Sequence, residues 1–165
     1  MNQNPNNELS RFAMLDILHR AEEHTLIPLL VTGMSMLPFL FHKRSVVFLE
    51  KDSAYVPKKG DIVFFLRVDT TPILHRIVKV KKDGTLVIKG DAQRWREEIY
   101  PGQILAHVTY IQRKRRRFSV NHTFYRLMVG LWMPFRLIHP PVAYCIHLLN
   151  RIPFKLSRKY RERNS

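Results

Sequence analysis

The sequence predicts a mostly β chain of the α+β class, with an antiparallel sheet in its middle and helices at its two ends. Three observations carry this. Runs rich in β-branched and aromatic residues fill Ser45 to Glu50, Asp61 to Val68, Ile73 to Val80, Thr85 to Lys89 and Ile104 to Ile111. Turn signals separate them: Lys58-Lys59-Gly60-Asp61, Asp69-Thr70-Thr71-Pro72, Lys82-Asp83-Gly84 and Pro101-Gly102. Apolar residues at helical spacing occur only outside that region, in Glu8 to His24 and in Asn121 to His139.

Length and composition suit one compact domain with appendages: 165 residues, 45% hydrophobic and 25% charged. The boundaries predicted are a start over 1–25, a β domain over 26–112 and a basic helical tail over 113–165. The one cysteine, Cys145, cannot form an internal disulfide and sits in an apolar segment, where it reads as a buried apolar residue. The net charge of +15 is unevenly spread, because thirteen basic residues and one acid fall between Arg113 and Ser165. The tail therefore carries most of the excess, and the central segment is only mildly basic.

Taken in order, Met1 to Asn7 is asparagine-rich and predicted to be disordered. No positive stretch precedes an apolar one, so no secretory leader is predicted. Leu9, Phe12, Ala13, Ile17, Leu18 and Ala21 predict an amphipathic helix, and the charges at Arg11, Asp16, Arg20, Glu22 and Glu23 argue against a membrane span. Leu26 to Val31 is a short apolar strand. Phe39-Leu40-Phe41 reads as core in preference to groove lining. Asp61 reads as a turn former, and Asp83-Gly84 between two β-rich runs predicts a hairpin. The β region is expected to end where Arg113 to Arg117 begins. Phe124, Leu127, Met128, Leu131, Trp132, Phe135 and Leu137 then predict a helix that His139-Pro140-Pro141 breaks, followed by a short helix over Val142 to Leu149 and a basic, frayed end from Lys155 to Arg163.

The chemistry is expected at Thr32-Gly33-Met34-Ser35-Met36-Leu37-Pro38, a poor helix and a poor central strand because of its glycine and proline. A bend here holds the Ser35 hydroxyl at the rim of a sheet, with backbone amides turned the same way, as a serine nucleophile and its oxyanion donors require. A serine also needs a base. His75 lies in a β-rich run on one face with Ile73 and Ile77, where an ionisable ring is unexpected. The Asp83-Gly84 hairpin brings Asp91, at the end of the next strand, within range to orient that imidazole.

Four ordered blocks, Gly33-Met34-Ser35-Met36 with Pro38, Lys59-Gly60-Asp61-Ile62-Val63, Leu74-His75-Arg76-Ile77-Val78 and Lys89-Gly90-Asp91, resemble the signal peptidase and repressor-autoprotease superfamily of serine peptidases. The resemblance covers about Leu26 to Gln112. It implies a coiled antiparallel β protease fold, a serine-type endopeptidase acting on a leader or signal-type peptide, Ser35 as nucleophile, and His75 in the histidine position of endoplasmic-reticulum-type signal peptidases. Gly33 stands where many signal peptidases carry a serine, so the oxyanion donors implied are the amides of Met34 and Ser35. The histidine-type enzymes carry a further acid after their Gly-Asp, which leaves Glu97 or Glu98 beside Asp91 as the carboxylate on His75. A non-catalytic peptide-binding or membrane-associated module of the same fold, and a self-cleaving protease like the repressors, are the alternatives.

No cofactor is predicted, and no His or Cys pairing has metal-ligand spacing. The partners expected are a peptide or protein substrate and an anionic membrane surface, met by the basic C-terminal helices with Phe124, Trp132 and Phe135 in the head-group boundary. The absence of a helix-turn-helix signal argues against nucleic acid. A cytoplasmic or peripherally membrane-associated location is expected.

Overall fold

The computed structural model describes residues 5–134, with the side chains of the first helix described from residue 13 onward. The predicted helix over Val142 to Leu149, the basic end and Cys145 lie outside these residues. The described residues are mostly β, an antiparallel sheet of eight strands with two α-helices.

Helix α1 (Pro5–Arg20) is followed by β1 (Leu26–Leu30), β2 (Ser45–Glu50), β3 (Ile62–Leu66), β4 (Pro72–Val80), β5 (Leu86–Lys89), β6 (Glu97–Ile99), β7 (Ile104–Arg113), β8 (Arg116–Ser119) and helix α2 (Thr123–Trp132). The sheet order is β1-β2-β7-β3-β4-β5-β6, with β8 also paired to β7. Strand β7 is the hinge of this order. One of its edges takes β2, and the other takes β3 along Ile104 to His107 and β8 along Tyr110 to Arg113.

Alternation along β3 shows how both sheet faces are covered. Ile62 and Phe64 point into one apolar cluster with Leu49, Val108, Ile111 and Val129, whereas Val63 and Phe65 point into a second with Ile77, Leu86 and Ile88. Each such side chain, removed from water, stabilises the fold by roughly 1.5–3 kcal/mol. The hairpin at Asp83-Gly84 forms as predicted, its Asp83 carboxylate accepting from the Thr85 amide at 3.0 Å. Asp61 closes the preceding turn by accepting from the Lys58 amide (3.0 Å) and the Tyr55 hydroxyl (2.7 Å).

Three differences from the sequence reading have physical causes. The β region does not end at Gln112: the basic run is a tight hairpin, in which Lys114 takes a positive φ of 55° and β8 returns along β7. Arg117 lies over the rings of Phe48 and Tyr110 at 3.9 and 4.1 Å, so a strand dense in charge still covers apolar surface. Helix α1 begins earlier than expected and does not separate apolar from polar residues around its length. Met14, Leu15 and Leu18 pack on the core, but Ile17, counted into the stripe by spacing, is 49% exposed. Trp132, expected at a lipid boundary, is held inward, its indole donating to the Asp91 carbonyl (3.2 Å) and its ring meeting Phe39 edge-on.

Candidate active site

The bend after β1 is built by short-range backbone bonds. Gly33 has φ of +104°, a region side chains other than glycine rarely enter, and its N–H donates to His42 Nδ1 at 2.9 Å. Two successive turns follow, from Leu37 N–H to Met34 O and from Phe39 N–H to Met36 O, and the Leu37–Pro38 peptide bond is cis. Met36, Leu37 and Leu40 are buried, Met34 is exposed and Ser35 lies half-buried between them. The apolar neighbours thus anchor the bend.

His75 sits in β4 opposite Val63 of β3, 3% exposed and tilted against Phe65. Its Nδ1 lies 3.2 Å from Glu97 Oε1 on β6. An ionised carboxylate only accepts, so this bond puts the proton on Nδ1 and leaves Nε2 as the basic nitrogen. Glu97 is itself gripped by Arg67, whose Nε and Nη2 donate to Oε2 and Oε1 at 2.5 and 2.7 Å. Burial alone would raise the Glu97 pKa, but Arg67 and then His75 bring it below the ordinary carboxylate range. Burial lowers the His75 pKa below the usual imidazole value; the attraction of Glu97 and Asp91 and the repulsion of Arg67 are smaller effects. The ring is therefore held neutral beside an ionised carboxylate.

Asp91 makes a different contact. Its two oxygens are taken by Arg76 Nε and Nη2 at 2.8 and 2.7 Å, while Arg76 Nη1 donates to Gly60 O (2.7 Å) and Nη2 also reaches the Tyr125 hydroxyl (3.0 Å). Arg76 is fully buried, with its guanidinium against the Phe39 and Tyr125 rings. Burial works against its charge, yet the Asp91 carboxylate outweighs that and its pKa is raised. The residue after Asp91 then reaches the serine bend, the Ala92 N–H donating to Ser35 O at 2.8 Å. Gly90 fits because it lacks a side chain: a Cβ there would stand 2.7 Å from Ser35 O.

Ser35 and His75 line one cavity of about 360 Å³. Leu29, Leu30, Val31 and Thr32 form one wall, with Arg67, Gln93 and Trp95 around the rest. Of the residues singled out from sequence, Ser35 and His75 share this cavity, Glu97 holds the His75 ring, Met34 is exposed beside Ser35, Asp91 is bound to Arg76, and Glu98 pairs with Lys81 at 2.6 Å. Arg67, Arg76 and His42 were not foreseen. Arg76 could have been, since it alternates with His75 in a β-rich run and so had to enter a core. Among the described residues, no group of three His, Cys, Asp or Glu side chains is placed to hold a metal. Nor is any of their helices long and apolar enough to cross a membrane.

No family model, curated protein or solved structure matches the chain. The functional reading therefore stands on the residues and their geometry.

Proposed function

We propose that the chain is a serine endopeptidase with a Ser-His catalytic pair, acting on a leader or signal-type peptide in the manner of the signal peptidases its motifs resemble. The observation that carries the reading is the shared cavity: the Ser35 hydroxyl residue and a buried imidazole with its Nδ1 on a carboxylate line the same space. In the reaction, Ser35 Oγ attacks the peptide carbonyl while His75 Nε2 takes its proton and later delivers it to the leaving amine. The amides of Met34 and Ser35 stabilise the oxyanion. Glu97 fixes the tautomer and stabilises the imidazolium that forms. Asp91 acts at one remove, because the Arg76–Asp91 pair holds the strap whose Ala92 amide is bound to Ser35 O.

An extended peptide suits the site. Strand β1 is at an edge of the sheet, and the residues at its end line the cavity, so a substrate strand laid along that edge would run past Ser35. The test is hydrolysis of leader peptides presented on vesicles by the wild type, Ser35→Ala and His75→Ala. Turnover by the wild type that disappears in both variants supports the reading, and turnover retained in both contradicts it. Incubating the purified protein alone separates the self-cleaving alternative, which predicts a shortened chain in the wild type and none in Ser35→Ala.

A further inference from the structure

A second cavity, of about 960 Å³, is lined by Pro38 and Phe39 from the end of the Ser35 bend, by the β7–β8 hairpin and by α2. Phe39, Phe118, Phe124, Tyr125 and Met128 line it together with Arg113, Lys114, Arg115 and Arg116. The apolar surface continues along α2, where Phe124, Leu127 and Leu131 are 65%, 58% and 52% exposed. No anionic side chain is nearby in sequence: from Ile99 to Arg161 the chain has no aspartate or glutamate. Among the described residues, no ion pair involves Arg113 to Arg117 or Arg126.

Arg113 is the most buried of the hairpin cations. One of its terminal nitrogens donates to Phe39 O at 2.8 Å, but its Nε is buried with no hydrogen-bond partner. Burial pushes its pKa below the ordinary guanidinium range, and no carboxylate offsets that. The guanidinium also lies over the Phe41 ring at 4.2 Å, so a carbonyl and an aromatic face hold this cation and no carboxylate does.

We infer that the β7–β8 hairpin and α2 form a docking face for an anionic lipid bilayer, with the cavity taking a lipid whose acidic head group meets the hairpin cations and whose chain lies on the aromatic floor. Charge selects this occupant. Residues 135–165 carry seven basic residues and one acid, so the rest of the chain offers the hairpin cations almost no anion. A lone soluble amphiphile would leave the outward residues of α2 in water, whereas a bilayer covers them together. The placement differs from that read in the sequence, since Trp132 faces inward and the strand hairpin supplies the cations. It does not depend on the peptidase reading.

The experiment is co-sedimentation of the full chain with vesicles of phosphatidylcholine alone, or of equal parts phosphatidylcholine and phosphatidylglycerol. Binding is expected to the mixed vesicles, weakened by high salt. The triple variant Lys114→Ser, Arg115→Ser, Arg116→Ser should lose about a hundredfold in affinity, near fivefold per cation. The same number of charges removed at the exposed Lys58, Lys59 and Lys82 should cost only a few-fold. Phe124→Ser with Leu127→Ser, both at exposed positions that leave the core intact, should lose about tenfold or more. Equal losses in the hairpin triple and the Lys58, Lys59, Lys82 control would overturn the proposal. So would binding to oligonucleotides with none to vesicles, or uptake of a monomeric anionic amphiphile without vesicle binding.

Discussion

His75 and Arg76 are adjacent in sequence, basic and buried, yet β4 sends them to opposite faces of the sheet and into opposite circumstances. Each nitrogen of Arg76 has a partner: the Asp91 carboxylate, the Gly60 carbonyl and the Tyr125 hydroxyl accept from it, and two rings cover it. His75 has one ring nitrogen bound to Glu97 and lines an open cavity with Ser35. A buried charge with complete partners supports architecture, and a neutral ring with a basic nitrogen left over can move a proton. Burial alone does not distinguish the two roles; the hydrogen bonds made and left unmade do.

The largest expected effect belongs to the cavity face. Ser35→Ala and His75→Ala should each reduce peptide hydrolysis on the order of 10⁴-fold or more, with thermal unfolding little changed for Ser35→Ala. The double variant should be no worse than either single one, because the two groups act as a unit. Full additivity in such an assay would break the pairing of the two side chains.

On the other face the effect is structural. Arg76→Met leaves Asp91 buried without its cation and should destabilise the fold by about 3–5 kcal/mol in urea unfolding, with a large part recovered when Asp91→Leu is added. A destabilisation well under 1 kcal/mol would show that the buried Arg76–Asp91 pair is not needed for the fold. Smaller again is Gly90→Ala, whose Cβ would meet Ser35 O and the Gln93 side chain, each at 2.7 Å. It should cost about 1–3 kcal/mol and displace the serine bend, lowering turnover in the fraction that stays folded.

The smallest effect is the most specific. Arg67 repels a proton on His75 and shares Glu97 with it, so Arg67→Gln should raise the His75 pKa. The low-pH limb of turnover, where the base becomes protonated, should then move to higher pH. The wild-type limb should lie below the ordinary imidazole range, since burial favours the neutral ring. An acid limb moving the other way in Arg67→Gln would show that Arg67 acts on His75 by some route other than charge.

The strands and most turns were legible in the sequence because they depend on nearest neighbours: β-branched runs mark β2 to β5 and β7, and Asp83-Gly84 marks its hairpin. Strand β6 was not, being three residues long and rich in charge, and it carries Glu97. That is why sequence alone left the carboxylate beside His75 open between Asp91, Glu97 and Glu98. In the structure the pairing of Ile88 with Glu97 brings Glu97 to His75, while Arg76 takes Asp91. Likewise the run Arg113 to Arg117 looked like an end, because the rings of Phe48 and Tyr110 that stabilise β8 lie far back in the chain or across the hairpin.

The proposed proton transfer requires His75 to be neutral with its proton on Nδ1, so that Nε2 can accept from Ser35. Nitrogen-15 NMR of the imidazole across a pH titration reads this without any substrate. The Nδ1–H tautomer, with a midpoint below that of a free imidazole, is the result expected. A ring protonated on Nε2 when neutral, or one that holds its second proton above the ordinary imidazole value, would contradict it.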